Sequence, residues 1–380
     1  MGIARLSNNM VEEKEELTGV DKEIKEIEDE LARTKYNKAT QFHVGKLKAK
    51  LSELKDKQQK VQSGGAHGYG YGLRKSGDAT ILMVGFPSVG KSTLLNAITN
   101  ADSKVGAYDF TTIDVVPGTL VYNDARIQVL DLPGLIEGAS SGAGRGKEVL
   151  AVARNADLVL LVVSAQKAEK ETEVIKKELY NANFRVDLDQ PDMKIVKKTI
   201  GGINVELPHK IKRLNKKLVE GILNEFKIHS ADVIIREDMD IDRFIDGIKG
   251  NRVYVPSLIL VNKCDMIDFQ RAVELRKIFP AAVLISAQEK KGIDELKAKV
   301  WEKLGLMRIY MKKVGKDPDM KEPLIMKKGS TVADATRKIH RNWEGSLKYA
   351  RIWGPSSKFA GQSLGPDHKL KDKDVVELHL

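Results

Sequence analysis

The chain of 380 residues has few of the residues that cross-link or anchor a protein. It contains one cysteine, Cys264, so an intramolecular disulfide framework is excluded and a reducing compartment, the cytoplasm, is expected. Its seven histidines are scattered without the paired spacing of a metal site. No stretch approaches the roughly 18 consecutive apolar residues of a membrane span, and the first residues lack the apolar core of a signal peptide. The sequence therefore predicts no membrane partner.

The composition indicates packed domains with a basic surface. Hydrophobic residues make up 42% of the chain, which is enough for packed cores, and the length predicts roughly two to four domains. There are 64 Lys and Arg against 53 Asp and Glu, a formal net charge of +11. Such a balance favours an anionic partner, most often nucleic acid.

The most informative motif is a glycine-rich loop between an apolar run, residues 81–84, and a helical pattern. In such a loop the glycines let backbone N–H groups point at phosphate oxygens, and the helix N-terminus adds its dipole. Lys91 is predicted to reach the β- and γ-phosphates, and the Ser92 hydroxyl to coordinate Mg²⁺. The nucleotide-binding residues predicted here are Gly85, Phe86, Pro87, Ser88, Val89, Gly90, Lys91, Ser92 and Thr93.

The base-recognition motif is Asn262-Lys263-Cys264-Asp265, which follows a second apolar run. An ionised aspartate only accepts hydrogen bonds, so Asp265 can accept from the ring N1–H and the 2-amino group of guanine together. Adenine lacks this donor pair and would leave the charge unpaired, which disfavours a P-loop ATPase. We expect Asn262 and Lys263 to brace the loops around the base.

A third segment, Asp131-Leu132-Pro133-Gly134, follows the predicted strand 127–130. Asp131 is predicted to hold the Mg²⁺ shell, and the Gly134 N–H to meet the γ-phosphate. The next segment, residues 136–147, contains four glycines, which argues for a loop that orders on GTP.

These motifs together resemble the Obg-related TRAFAC GTPases, and within them the developmentally regulated GTP-binding protein (Drg) subfamily. The resemblance covers nearly the whole chain. The stretches that carry it are Lys35 to Thr40, Leu47 to Leu51, Gly85 to Leu95, Tyr108 to Thr112, Asp131 to Ala139, Gly144 to Gly146 and Ala151 to Arg154.

The resemblance adds site residues to those derived above. It implies that Thr112, rather than Thr111, joins Ser92 and Asp131 as a metal ligand, and that Lys91, Thr112 and Gly134 act in catalysis. It also implies that the loop Ser286-Ala287-Gln288 contacts the guanine oxygen. A monovalent cation, K⁺, activates some relatives through an asparagine where this chain has Ser88, so the sequence leaves potassium stimulation open.

Leu135 stands where Ras-like enzymes carry the glutamine that orients the attacking water. A leucine cannot hydrogen-bond to water, so we expect slow hydrolysis of GTP to GDP and phosphate. The competing hypothesis is an RNA- or ribosome-binding adaptor in which GTP is mainly a structural ligand.

The predicted fold class is α/β, with a P-loop GTPase domain built on a parallel sheet. The resemblance implies an N-terminal helical hairpin, an inserted module like the second domain of ribosomal protein S5, and a C-terminal TGS domain of β-grasp fold. The predicted boundaries are 1–63 for the hairpin, 64–77 for a glycine-rich hinge, 78–183 and 251–306 for the GTPase domain, 184–250 for the insertion and 307–380 for the TGS domain. Apolar and polar residues alternate over 184–188 and 203–207, which is typical of antiparallel strands. Residues 214–226 are predicted to form a helix.

Three regions carry a basic excess: residues 35–60, residues 194–217 and the C-terminal unit from residue 308. The first is interpreted either as a solvated helix face or as an RNA-facing arm, with nothing to choose between them. We expect a ribosome or structured RNA as the partner, and the resemblance adds a Drg-family regulatory protein. The expected oligomeric state is a monomer.

Overall fold

A computed structural model describes residues 19–61, 77–99, 116–131, 155–208, 210–340 and 346–379. These residues form two compact units. The described residues of the first unit are 19–61 and 183–254 without 209, and those of the second are 77–99, 116–131, 155–182, 255–340 and 346–379. Within these ranges no helix combines the length and the apolarity that crossing a bilayer requires.

The elements are numbered in chain order. The strands are β1 Ala79–Val84, β2 Val116–Tyr122, β3 Ala125–Asp131, β4 Leu158–Ser164, β5 Phe184–Val186, β6 Met193–Lys197, β7 Ile203–Glu206, β8 Ala231–Ile235, β9 Val253–Val255, β10 Ser257–Asn262, β11 Val283–Leu284, β12 Leu306–Lys312, β13 Pro318–Lys327, β14 Tyr349–Trp353, β15 Gln362–Leu364 and β16 Asp374–His379. The helices are α1 19–33, α2 Gln41–Val61, α3 Lys91–Ile98, α4 Ala168–Asn181, α5 Lys216–Glu225, α6 Ile241–Lys249, α7 Phe269–Ile278, α8 Ile293–Leu304 and α9 Val332–Ile339.

The second unit contains a six-stranded sheet in the order β11-β10-β4-β1-β3-β2. Its central strands are buried along almost their whole length, as expected for parallel strands covered on both faces. All neighbouring pairs are parallel except β2, which is antiparallel to β3. The predicted parallel sheet is confirmed. The antiparallel edge strand was missed, because Pro117 and Gly118 argue against a strand, although an edge strand tolerates proline.

The C-terminal part of the same unit is a β-grasp with a five-stranded sheet, β13-β12-β16-β14-β15, packed on α9. Helix α9 begins at a capping box: the Thr331 hydroxyl accepts from the Asp334 N–H, and the Asp334 carboxylate accepts from the Thr331 N–H. The predicted α/β class, with a parallel-sheet P-loop domain and a C-terminal β-grasp, is confirmed.

The β-grasp and the six-stranded sheet share a core. Leu306 and Ile325 belong to the apolar cluster of the six-stranded sheet, and Trp301 packs against it. The Lys327 ammonium lies 2.8 Å from the Asp157 carboxylate, which also accepts from the Thr80 N–H at the start of β1. These contacts lie at the amino end of the parallel strands.

The first unit combines the helical hairpin with a small α/β layer. Strands β6, β8 and β7 form a sheet whose apolar face packs on α5, α6 and Ala49 of α2. Helix α5 confirms the helix predicted at residues 214–226. The strands predicted at residues 184–188 and 203–207 are present as β5 and β7, and β5 pairs with β9. The predicted antiparallel direction was wrong for β7, which pairs with β8 in parallel. Alternation gives the faces of a strand but not its direction, and the connection from β7 to β8 runs through α5, as a parallel pair requires.

Four lysines of α2 form ion pairs within this unit. Their partners are Glu225 for Lys46, Asp242 for Lys48, Glu23 for Lys50 and Glu28 for Lys55. These cations hold α2 against α1, α5 and α6, so they are not a free arm. RNA as a partner stays a prediction. The basic excess of residues 35–60 supports it less than the number of lysines indicated, because four of these lysines are paired with acids.

Candidate nucleotide-binding site

The phosphate loop joins β1 to α3 at the carboxyl edge of the parallel sheet, where ligands bind in open α/β sheets. Gly90 has φ 93°, and a Cβ there would lie 2.5 Å from the Asn262 amide nitrogen, so only glycine fits. Ser88 also adopts a left-handed backbone, with φ 61°. The curled loop leaves Pro87, Ser88 and Ser92 exposed above the N-terminus of α3.

Lys91 lies at the start of α3 with its side chain folded over the loop. Its ammonium donates to the carbonyl oxygens of Gly85 at 2.9 Å and Phe86 at 3.0 Å. The first turn of α3 contains no acidic residue, so the helix dipole and Lys91 form a positive end to the loop. Thr93, one residue beyond Ser92, is exposed.

Asp131 ends β3 next to this positive end. Burial raises the pKa of its carboxyl, while the Lys91 charge and a hydrogen bond with Ser92 act in the opposite direction. Its Oδ1 is buried and has no hydrogen-bond partner among the described residues. The unpaired Asp131 oxygen lies beside the Ser92 hydroxyl. A hard cation such as Mg²⁺ prefers oxygen ligands of this kind. The predicted residues Thr112, Thr111, Gly134 and Leu135 lie outside the described residues.

Asn262 connects three loops of the site. Its buried side-chain amide donates to the Val89 carbonyl at 2.8 Å, and its oxygen accepts from the Ala287 N–H at 3.0 Å. One side chain therefore fixes the phosphate loop relative to both base-binding loops. Lys263 has a left-handed backbone with φ 64°, and its charge helps to lower the pKa of the Asp265 carboxyl. Its predicted role as a brace around the base stays a prediction.

Asp265 is exposed at the same edge. A hydrogen bond from the Ser286 hydroxyl lowers the pKa of the Asp265 carboxyl, its own backbone N–H acts in the same direction, and the charges of Lys291 and Lys263 add to this. The carboxylate is thus ionised at neutral pH and open to a base with two donors. Ser286 and Ala287 are buried, and Gln288 is exposed.

Two features of this loop were not predicted. The hydroxyl contact between Ser286 and Asp265 was missed, because the sequence pointed only to the backbone of this loop. Lys291 was missed as well; it comes near Asp265 because it forms an antiparallel bridge with Ser286. The sequence signal for the contact between Ser286 and Asp265 was the position of Ser286 directly after the predicted strand 281–285.

The described part of the chain contains no cluster of three His, Cys, Asp or Glu side chains that could hold a metal ion. The oxygen ligands offered by Ser92 and Asp131 are typical of Mg²⁺ in a nucleotide site.

Comparison with protein families matches three segments. Residues 80–196 match a family described as a 50S ribosome-binding GTPase, residues 200–306 the C-terminal region of that domain, and residues 307–380 the TGS domain. An uncharacterized GTP-binding protein of Methanocaldococcus jannaschii is 50% identical over 96% of this chain and 93% of its own length.

Relatives with a family name match over the same length. The human developmentally-regulated GTP-binding protein 2 is 41% identical over 95% of this chain and 99% of its own. The chain belongs to the developmentally regulated GTP-binding protein family. The predicted family is confirmed, and this Drg-family protein is a GTP-binding protein of the Obg-like GTPase class. The solved Schizosaccharomyces pombe YchF GTPase has 15% identity and a TM-score of 0.42 over 80% of this chain and 99% of that one, a likeness too remote to carry an argument.

Proposed function

We propose that this Drg-family protein hydrolyses GTP to GDP and phosphate with Mg²⁺, as a slow switch associated with ribosomes or structured RNA in the cytoplasm. The proposal is supported above all by the hydrogen bonds of the Asn262 side chain. They join the phosphate loop, at Val89, to the predicted base-binding loop at Ala287. Phosphate-binding and base-binding groups are thereby held in one fixed arrangement.

The residues of the chain divide the work by their chemistry. Backbone N–H groups of the loop bind phosphate oxygens, and Lys91 exchanges its carbonyl partners for the β- and γ-phosphates. Asp265 accepts from the guanine donors. Ser92, Asp131 and Thr112 would hold Mg²⁺, which neutralises charge on the phosphates, and the Gly134 N–H would contact the γ-phosphate.

Slow turnover follows from Leu135. Without a glutamine at this position, the water must be oriented by another group or by a partner protein, such as a regulatory protein of the family. We expect a kcat far below the common range of about 1–10³ s⁻¹. The leucine also supports the adaptor hypothesis, in which GTP is a structural ligand.

The ribosome association is supported by the basic excess of the chain and by the matched family's description, which names the 50S ribosome. From Arg308 to the C-terminus there are 16 Lys and Arg against 9 Asp and Glu. Binding through phosphates releases counterions, so the association should weaken steeply as salt rises.

A turnover assay under excess GTP tests the enzymatic proposal. The wild type should release phosphate slowly, Lys91→Ala should abolish release, and Lys303→Ala, an exposed lysine on α8, should change nothing. Absence of phosphate release by the wild type, with GTP bound, would favour the adaptor. Co-sedimentation with ribosomes from low to physiological salt tests the association separately.

A further inference from the structure

Helix α7 directly follows the base-recognition loop, yet few apolar contacts hold it to the rest of its unit. Of its ten residues, all of them described, only Leu275 is buried. Phe269, the first residue of the helix, is 84% exposed. Helices in proteins are mainly stabilised by an apolar face that packs on the core. Since α7 contributes a single residue to such packing, its polar contacts have a larger part in fixing its position.

Arg271, in the first turn of α7, forms ion pairs in two directions. One guanidinium nitrogen lies 2.7 Å from the Glu169 carboxylate in the first turn of α4, and another lies 2.7 Å from the Glu274 carboxylate of α7 itself. The first pair joins two helices, whereas the second lies within one. The hydrogen bond from Arg271 lowers the pKa of the Glu169 carboxyl.

Glu169 belongs to a helix whose start is fixed to the six-stranded sheet. Ala168 is buried, and the Glu171 carboxylate accepts from the Ser164 N–H at 2.7 Å and from the Ser164 hydroxyl at 3.1 Å. Ser164 ends β4 and lies opposite Asn262 in the register of β4 with β10. The partner of Arg271 on α4 therefore has a support that is anchored next to the nucleotide site.

The loop that contains Asp265 is held on both sides. Before it, the Asn262 side chain bonds to the phosphate loop. After it, the Asp268 carboxylate caps α7 by accepting from the Arg271 N–H at 2.8 Å, and the Arg271 side chain joins α7 to α4. Two hydrogen bonds to one base require a carboxylate at a fixed position, and a loop anchored on both sides meets this requirement.

We propose that Arg271 is a positioning residue for base recognition: through Glu169 it fixes the start of α7, and through α7 it fixes the Asp265 carboxylate. The inference rests on the proposed role of Asp265 in guanine recognition. Inosine triphosphate (ITP) keeps the ring N1–H of guanine and lacks the 2-amino group. The ratio of the affinities for GTP and ITP therefore reports the hydrogen bond to the 2-amino group.

The test is this affinity ratio for the full chain, measured by isothermal titration. Arg271→Ala should lower the ratio about 2- to 5-fold, the range expected for a partly exposed ion pair. Glu169→Ala should lower it by a similar factor, because it removes the same bond between the helices. The double variant Arg271→Glu with Glu169→Arg should recover part of the loss, since the two charges are exchanged.

Two single variants of α7 are the matched controls. Glu274→Ala removes the ion pair within the helix and should keep the wild-type ratio. Arg276→Ala removes an exposed cation of the same helix that has no ion pair among the described residues, and it should also keep the ratio. The difference between wild type and Arg271→Ala should shrink as salt rises, because salt screens exposed charges.

Two results would overturn the inference. The first is a wild-type ratio in Arg271→Ala, including the case in which the affinities for GTP and ITP fall by the same factor, as a general structural role predicts. The second is an equal fall of the ratio in Glu274→Ala and Arg271→Ala, because the stability of α7 and not its bond to Glu169 would then be responsible.

The wild type separates this inference from the proposed function. If the wild type binds GTP, ITP and ATP with similar affinities, the proposed role of Asp265 is wrong, and the positioning role of Arg271 with it. If the wild type prefers GTP and Arg271→Ala prefers it to the same degree, the role of Asp265 stands and the inference about Arg271 fails.

Discussion

At the scale of single residues, the nucleotide site depends on side chains that join loops. Asn262 bonds to both the phosphate loop and the Ala287 loop, and Ser286 bonds to Asp265. Asn262 and Ser286 thus each connect two loops through a side-chain hydrogen bond. A change at such a position therefore alters the relative placement of two loops, whereas a change at an exposed position alters one contact.

Asp265→Asn should exchange guanine selectivity for xanthine. The amide can donate to the extra carbonyl of xanthine, whereas the carboxylate can only accept. Direct titration with GTP and xanthosine triphosphate measures the exchange, and we expect GTP affinity to fall at least about 10-fold. Comparable affinity of the wild type for ATP and GTP would contradict the assigned role. Asp268→Asn, a helix cap three residues later, is the control for charge.

Asn262→Ala should weaken GTP and GDP binding by similar factors. It leaves the Val89 carbonyl and the Ala287 N–H without their buried partner, which costs about 1–3 kcal/mol for each group. We expect affinity to fall about 10- to 100-fold, measured by isothermal titration. Asn224→Ala, an exposed asparagine of the other unit, should bind normally. A loss confined to GTP would show that Asn262 acts through the γ-phosphate instead.

At the scale of elements, charge is used to fix helices as well as to attract partners. Four lysines of α2 pair with acids of α1, α5 and α6, and α9 begins with the Thr331–Asp334 capping box. A basic stretch in the sequence is therefore not sufficient evidence for a nucleic-acid surface.

The capping box predicts a pH-dependent contribution to stability. A hydrogen bond from the Thr331 N–H lowers the pKa of the Asp334 carboxyl, and other contacts with Thr331 and Arg337 add to this. A lowered folded-state pKa means that the stabilisation is present above the ordinary value of about 3.9 and is lost as pH falls through the folded-state pKa.

Thr331→Ala should destabilise the fold by about 1 kcal/mol at neutral pH, because a side-chain cap is lost. Asp334→Asn should cost less, because this carboxylate is partly exposed, and its cost should shrink below about pH 4. Urea denaturation at neutral and acidic pH measures both. A cost of Asp334→Asn that grows on acidification would refute the assigned direction of the pKa shift.

At the scale of the whole molecule, the β-grasp cannot be removed without cost to the GTPase sheet in the same unit. Leu306, Ile325 and Trp301 contribute to the apolar core of that sheet or pack against it. Arg308 also lies over the Trp301 ring, 5.8 Å from its centroid. The nucleotide motifs nevertheless lie on the opposite, carboxyl edge of the strands.

Deleting the chain from Arg308 should therefore lower the melting temperature while leaving GTP binding detectable below the transition. The deletion uncovers the apolar surface that Ile325 covers, at about 25 cal/mol for each Å². Lys327→Ala, which removes only the ion pair with Asp157, should shift the transition little. Thermal unfolding and GTP titration check this, and an unchanged melting temperature of the deletion would contradict the shared core.

The sequence by itself determined the nucleotide motifs, the family and the fold class. Each depends on local patterns, since a phosphate loop needs glycines at fixed positions between a strand and a helix, as Gly85 to Ser92 show. The predicted selectivity of Asp265 for guanine likewise follows from its own carboxylate, which can accept two hydrogen bonds. The roles of Thr112 and Gly134 stay predictions, because these residues lie outside the described part of the chain.

Only the tertiary structure decided how distant segments meet. It showed that β7 pairs in parallel, that four lysines of α2 are bound in ion pairs and that Asn262 connects loops more than 170 residues apart in sequence. It also brought Lys312, Tyr349 and His379 onto one sheet face. Periodicity gives the buried face of each element but not its partner, because partners are chosen by packing and charge across the fold.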